Sequence, residues 1–318
     1  MSRSAVNEAT PRARTSPASP TPVHLRRLRR TGIVALGIVV LLAAAGILAD
    51  TVAAARAEQR LSAALATAPG IAHRPEVILG GFPYLPHAAD GRFGSVAIAA
   101  RAVGVPGCAY GGGCIAELGA TLGPFTVADG YAIGPTDTLH TASVTAYTRL
   151  DSVNLGRFLG IVDLTVATPA AADRVGGGGP QFGNLERTRD VVLTGTVALP
   201  PASLPMPHAR PTPATSPAAA DYPGPATRVS VTVDLSVRDG RLRLDATGFY
   251  TGPERHVTSA ELADAPGGLR RAVLNRFSAT LPRLPLPWDL PATGAHSSGS
   301  DVLLTASAGP RDLRPDRF

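Results

Sequence analysis

A chain of 318 residues with 44% hydrophobic content can bury one large or two small cores, and 34 Gly and 30 Pro with only 17% charged residues call for many turns. The basic residues are all Arg, which reads as the coding bias of a GC-rich genome rather than as phosphate recognition. Seven Arg (Arg3, Arg12, Arg14, Arg26, Arg27, Arg29 and Arg30) and one acid, Glu8, fall within residues 1–30, so the whole formal charge of +6 sits there, the rest of the chain is neutral, and nucleic-acid binding is excluded.

Residues 1–30 are expected as a disordered cytoplasmic tail, being rich in Ser, Thr, Pro and Arg. Thr31–Ala49 follows without a charge. As a helix rising ~1.5 Å per residue it spans about 28 Å, enough to cross a bilayer core. The Arg cluster precedes the run and a balanced set, Asp50, Arg56, Glu58 and Arg60, follows it. The positive-inside rule then puts the N-terminus in the cytoplasm and residues 50–318 outside, on a single-pass anchor in the cytoplasmic membrane. A cleaved signal peptide, giving a secreted form, is the rival reading, for which Ala53, Ala54 and Ala55 offer small-residue cleavage sites. The length of the apolar run favours the anchor.

Residues 50–68 are Ala-rich and extend the membrane helix outward as a stalk or first helix, ending at Pro69-Gly70. The pattern then turns to strands. Arg92–Val103 alternates, with Val96, Ile98, Ala100 and Ala102 on one face, and Leu139–Thr148 alternates more weakly. Between them, Cys108 and Cys114 enclose Ala-Tyr-Gly-Gly-Gly, a spacer that lets the two sulfurs meet. A disulfide is the natural outcome in an oxidising compartment. Residues near 170–184 and 200–226, rich in Gly or in Pro, Ala, Ser and Thr, read as disordered loops.

The clearest local signal is a hairpin around Asp239-Gly240. A two-residue turn there sets Arg238 against Arg241, Val237 against Leu242, Leu235 against Leu244 and Val233 against Ala246, giving one wholly apolar face. The other face sets Asp234 against Asp245, a repulsion that Arg243 is placed to offset. A helix from about 266 to 280 carries Leu269, Ala272, Val273 and Phe277 in one stripe, with Arg270, Arg271 and Arg276 off it. Pro282, Pro285 and Pro287 stop that helix, a last strand spans Asp301–Ala308, and 311–318 is left as a tail.

Motifs that carry catalysis are missing from the sequence. It contains no H-E-x-x-H, G-x-S-x-G or Walker pattern, and Gly176–Gly179 lacks the Lys-Ser/Thr of a phosphate loop. The seven His (His24, His73, His87, His140, His208, His256 and His296) have no metal-ligand spacing. A binding role without cofactor or metal is the expectation, and an enzyme is not.

One segment is distinctive. In Glu76–Val103 a strand leads to Gly81-Phe82-Pro83-Tyr84-Leu85, a short polar stretch, and then Gly91-Arg92-Phe93 and Val96. This resembles the G-F-P-F-L and G-R-[FY]-x-x-V motifs of the LmeA-like phospholipid-binding family of actinobacterial cell-envelope proteins, with Tyr84 in place of the usual Phe. The later hairpin, helix, Leu281-Pro282-x-Leu284-Pro285 run and final strand look like the same family, so the resemblance covers about 50–310. The Cys108–Cys114 loop and the Pro-rich insertion depart from it.

The resemblance implies an α+β fold similar to tubular lipid-binding proteins. There, a membrane helix would precede a long curved antiparallel sheet wrapped around one or two helices and enclosing an apolar groove. It implies phospholipid or glycolipid as the partner, in support of envelope glycolipid assembly, with protein partners unknown. The residues proposed to meet lipid are Phe82, Tyr84, Leu85, Phe93, Leu235, Leu244, Phe277 and Trp288. Each has a plain packing role as its alternative, and Arg92 stands between a lipid phosphate and a solvated or salt-bridged state. An envelope interaction protein without lipid is the alternative function.

Overall fold

A computed structural model describes residues 23–108, 113–168, 190–199, 226–252 and 262–318. The loops expected near 170–184 and 200–226 lie outside the described residues, except for Ala226, as do residues 1–22 of the expected tail. The chain divides into two units, Met1–Ala49 and Asp50–Phe318.

In the first unit the described residues belong to helix α1 (Val23–Leu65), so residues 23–30 are helical where a disordered tail was expected. The apolar side chains from Ile33 to Leu48 are exposed. The Gly32–Leu65 part is long and apolar enough to cross a membrane.

The second unit opens with the remainder of α1. Ala57, Leu61 and Leu65, spaced at helical intervals, are buried in the core. Polar groups fix the helix beside the first strand: Leu79 N–H donates to Glu58 Oε1 at 2.9 Å, and Ser62 Oγ donates to the Pro75 carbonyl at 2.6 Å.

The strands form three antiparallel sheets. The six-stranded sheet contains β1 (Glu76–Gly80), β3 (Ser95–Val105), β4 (Cys114–Leu122), β7 (Val144–Leu150), β14 (Asp301–Ala308) and β13 (Gly294–Ser298), in that spatial order. The five-stranded sheet runs from β12 (Ala279–Thr280) through β11 (Arg241–Phe249), β10 (Ala226–Arg238) and β9 (Asp190–Ala198) to β8 (Thr165–Ala167). The four-stranded sheet runs β15 (Arg311–Leu313), β6 (Leu139–Thr141), β5 (Phe125–Thr126), β2 (Arg92–Phe93). This is the α+β class with antiparallel sheets and a long N-terminal helix, its strands shared among three sheets.

The β10–β11 hairpin has the register dictated by its turn, Arg238 to Arg241 through Val233 to Ala246. Asp239 and Gly240 both adopt positive φ, 52° and 70°, as a turn matching the strand twist requires. Arg243 grips Asp245 with two bonds of 2.6 and 2.7 Å.

Elsewhere the structure corrects the pattern. Ala102, expected with Val96, Ile98 and Ala100 on the buried face, is exposed. The pairing of β3 with β4 shifts between Ala100 and Val103, and Ala102 sits at φ 56°. This bulge consumes one residue and hands the buried face to Val103 and Val105. The weakly alternating Leu139–Thr148 segment is two strands in two sheets, β6 and β7. The late helix (Gly267–Arg276) is shorter than expected. Ala279–Thr280 joins the sheet instead, and Arg276 is buried rather than off the buried face. Residues 311–318 supply β15 and a terminal 3₁₀ turn, with Phe318 buried.

Candidate functional site

The site is assembled from the Gly81–Phe93 segment. Helix α2 (Tyr84–Asp90) is short, and its first two amides need an acceptor. The Asp50 carboxylate, 5% exposed, supplies it: Oδ2 accepts from Tyr84 N–H and Oδ1 from Leu85 N–H, each at 2.8 Å. The buried Tyr84 hydroxyl donates to the Gly130 carbonyl at 2.8 Å, and burial pushes the phenol above its ordinary pKa. Gly91 ends α2 in the left-handed region, at φ 61°. A Cβ there would run into the Val127 carbonyl, so glycine is required both by conformation and by space.

Arg92 and Phe93 then enter the four-stranded sheet. The Phe93 ring stacks on Phe125 with centroids 5.0 Å apart, and Tyr84 lies 6.0 Å from Phe93 on its other contact. Cross-strand pairing sets two rows. Arg92, Thr126, His140 and Asp312 form one, and Phe93, Phe125, Thr141 and Arg311 the other. Directly opposed residues share a face of the sheet, so the second row grades from two buried rings to an exposed guanidinium.

These residues line an open cleft of about 770 Å³, completed by Pro124, Ala142 and Pro310. His140 Nδ1 lies 2.6 Å from Asp312 Oδ1, which occupies the carboxylate. Arg92 and Arg311 make no ion pair or side-chain hydrogen bond among the described residues. The cleft thus carries the exposed guanidiniums of Arg92 and Arg311, in rows on opposite faces of the sheet, and the exposed Thr126, while the stacked Phe93 and Phe125 rings are buried beneath it at 4% and 2% exposure. The guanidiniums offer forked donors to an anion such as a phosphate.

Of the eight residues expected to meet lipid, Phe93 alone lines this cleft. Tyr84, Phe93, Leu235, Leu244 and Phe277 are all 4% exposed or less. Trp288 is half-buried, donates its indole N–H to the Arg314 carbonyl at 2.9 Å and meets Phe318 edge-on at 5.0 Å. Phe82 is 68% exposed and Leu85 36%. Cys108 and Cys114 form the expected disulfide. Sequence reasoning missed Phe125, His140, Thr141 and Arg311. Phe125 lies in a two-residue strand too short to alternate, His140 and Thr141 lie in the weakly alternating segment read as one strand, and Arg311 lay in the supposed tail. Among the described residues, no cluster of three or more His, Cys, Asp or Glu is placed to hold a metal ion.

The second unit is an antiparallel α+β domain that follows an apolar helix in the chain. The chain belongs to the LmeA-like phospholipid-binding family, whose model matches residues 48–307. No curated protein and no solved structure matches it.

Proposed function

We propose that this is a non-enzymatic, membrane-anchored phospholipid-binding protein whose domain, residues 50–310 with β15 added, works outside the cytoplasm. Thr31–Ala49 is its anchor, and the ligand is a phospholipid or glycolipid precursor of the envelope, in support of glycolipid assembly. The observation that carries this reading is the cleft: Arg92 and Arg311, exposed and without an ion pair among the described residues, lie along it beside the buried Phe93–Phe125 stack. The family match supports a lipid ligand, and the Arg-rich flank before Thr31 supports the orientation.

The test uses the full chain in mild detergent, with bound lipids extracted and identified by mass spectrometry. The parent retains phospholipid, and the double variant Arg92→Ala/Arg311→Ala retains at least about tenfold less, as expected when charge-assisted bonds worth ~1.5–3 kcal/mol are lost. Both side chains are exposed, so melting should barely change. A second reading, an envelope interaction protein without lipid, is favoured by the close packing of Leu235, Leu244 and Phe277. A parent that carries no phospholipid and takes up none from fluorescent vesicles would establish that second reading.

A further inference from the structure

The cleft leaves the first half of the Gly81–Leu85 motif unexplained. Phe82 is 68% exposed, although large aromatic side chains normally reward burial. Beside it, Leu85 is 36% and Tyr131 46% exposed. The Tyr131 hydroxyl lies 3.5 Å from the Leu85 carbonyl, joining its segment to the first turn of α2.

These exposed groups stand on a stiff base. Asp50 accepts from the Tyr84 and Leu85 amides. Asp129 Oδ1 accepts from Tyr131 and Ala132 N–H at 2.8 and 3.2 Å, and Arg60 donates to the Tyr131 carbonyl at 2.8 Å. Two segments far apart in sequence are therefore pinned to the same stretch of α1. That stretch begins at Asp50, the residue that directly follows the apolar run Thr31–Ala49. Wherever the run leaves a bilayer, Asp50 is at the exit, and its carboxylate is one hydrogen bond from the backbone that carries Phe82 and Leu85.

We propose that Phe82, Leu85 and Tyr131 form an interfacial patch that enters the headgroup layer of the membrane holding residues 31–49. Chain continuity names the occupant as that bilayer surface. The residue types agree, because aromatic rings with one polar end and bulky apolar groups favour the boundary between acyl chains and water. The exposed Arg56 and Arg60, in the next turns of α1, add attraction to anionic headgroups. The patch holds the domain against its membrane and so sets where lipid would enter or leave it. The proposal rests on the anchor reading and does not depend on the cleft.

The experiment places a tryptophan at the patch in the full chain. Phe82→Trp and, as a reference, Val162→Trp at an 80% exposed turn are each reconstituted in vesicles of phosphatidylcholine and phosphatidylglycerol. The phosphatidylcholine is then replaced by a form brominated high on its acyl chains, and the quenching of the parent, which has Trp288, is subtracted. The added fluorescence at position 82 should fall by half or more while that at 162 is unchanged. Quenching at 82 no greater than at 162 overturns the patch, and so does a buried, unquenched signal, which means a protein partner or a second copy. Retention after alkaline carbonate is scored separately: a chain released by it has no anchor, and the inference falls with that reading while the cleft assay stands untouched.

Discussion

The β10–β11 hairpin and the Gly81–Phe93 segment both contain strongly apolar sequence, and they place it in opposite ways. In the hairpin, Val233, Leu235, Leu242 and Leu244 are buried to 4% exposure or less, on the face that the Asp239-Gly240 turn assigns to them. In the other segment Tyr84 and Phe93 are buried while Phe82 stands out in solvent, and Arg92 next to Phe93 has no ionic partner among the described residues. Where pattern, register and burial agree, packing accounts for every side chain. Where they part, with a buried carboxylate and a left-handed glycine used to hold exposed groups in place, the arrangement points to a ligand.

The largest effect that tests this contrast is expected at Leu244, which is 1% exposed and faces Leu235. Leu244→Glu buries a charge without a partner and should cost about 3–5 kcal/mol or more, unfolding the domain at ordinary temperature. Thermal melting by circular dichroism checks it. A Leu244→Glu protein that melts like the parent yet no longer retains phospholipid would break the comparison, because Leu244 would then line a groove.

Next in size is Asp50→Ala. It leaves the Tyr84 and Leu85 amides without their acceptor in a buried setting, a cost of about 1–3 kcal/mol. The loss is local in origin, so hydrogen exchange at those two amides should accelerate more than exchange in the hairpin strands. Uniform acceleration across both regions would mean that Asp50 supports the whole domain and not the motif in particular.

How much of this was legible in the sequence follows the same divide. The hairpin register was readable because a two-residue turn and a period-two apolar pattern constrain each other over six pairs, up to the bulge between Thr232 and Val233. The final strand was readable from its apolar pattern alone, with Val302, Leu304 and Ala306 buried on one side, although Leu303 on the other side is buried too. Ala102 was not, since a single bulged residue inverts the alternation without any local marker in an Ala-rich stretch. The motif could be found by resemblance, but not its geometry. The acceptor for Tyr84 lies 34 residues earlier, at the end of an apolar run, and the cleft joins Arg92 to Arg311 across more than two hundred positions. Two- and three-residue strands such as β2, β5, β6 and β15 are too short to show a period, so the sheet that builds the cleft exists only through tertiary pairing.

The smallest effect concerns the one flaw in the hairpin's otherwise consistent design. Asp234 faces Asp245 on one side and Asp190 on the other. Burial and then the two neighbouring carboxylates push its pKa above the ordinary value. A raised carboxylate pKa means that the folded state holds the proton more tightly. The stabilising contribution is full below the unfolded value and is lost as pH rises through the folded one, so at neutral pH the ionised group works against folding. Asp234→Asn should therefore stabilise the domain near pH 7. Asp234 is exposed and Arg243 already neutralises Asp245, so solvent screening holds the gain to about 0.5 kcal/mol, or roughly 1–2 °C in melting temperature. The gain should shrink as pH is lowered through the carboxylate range, because the parent's own carboxyl then takes up its proton. A gain of equal size at pH 4 and pH 7 would assign the effect to the amide's hydrogen bonding and remove charge repulsion as the hairpin's defect.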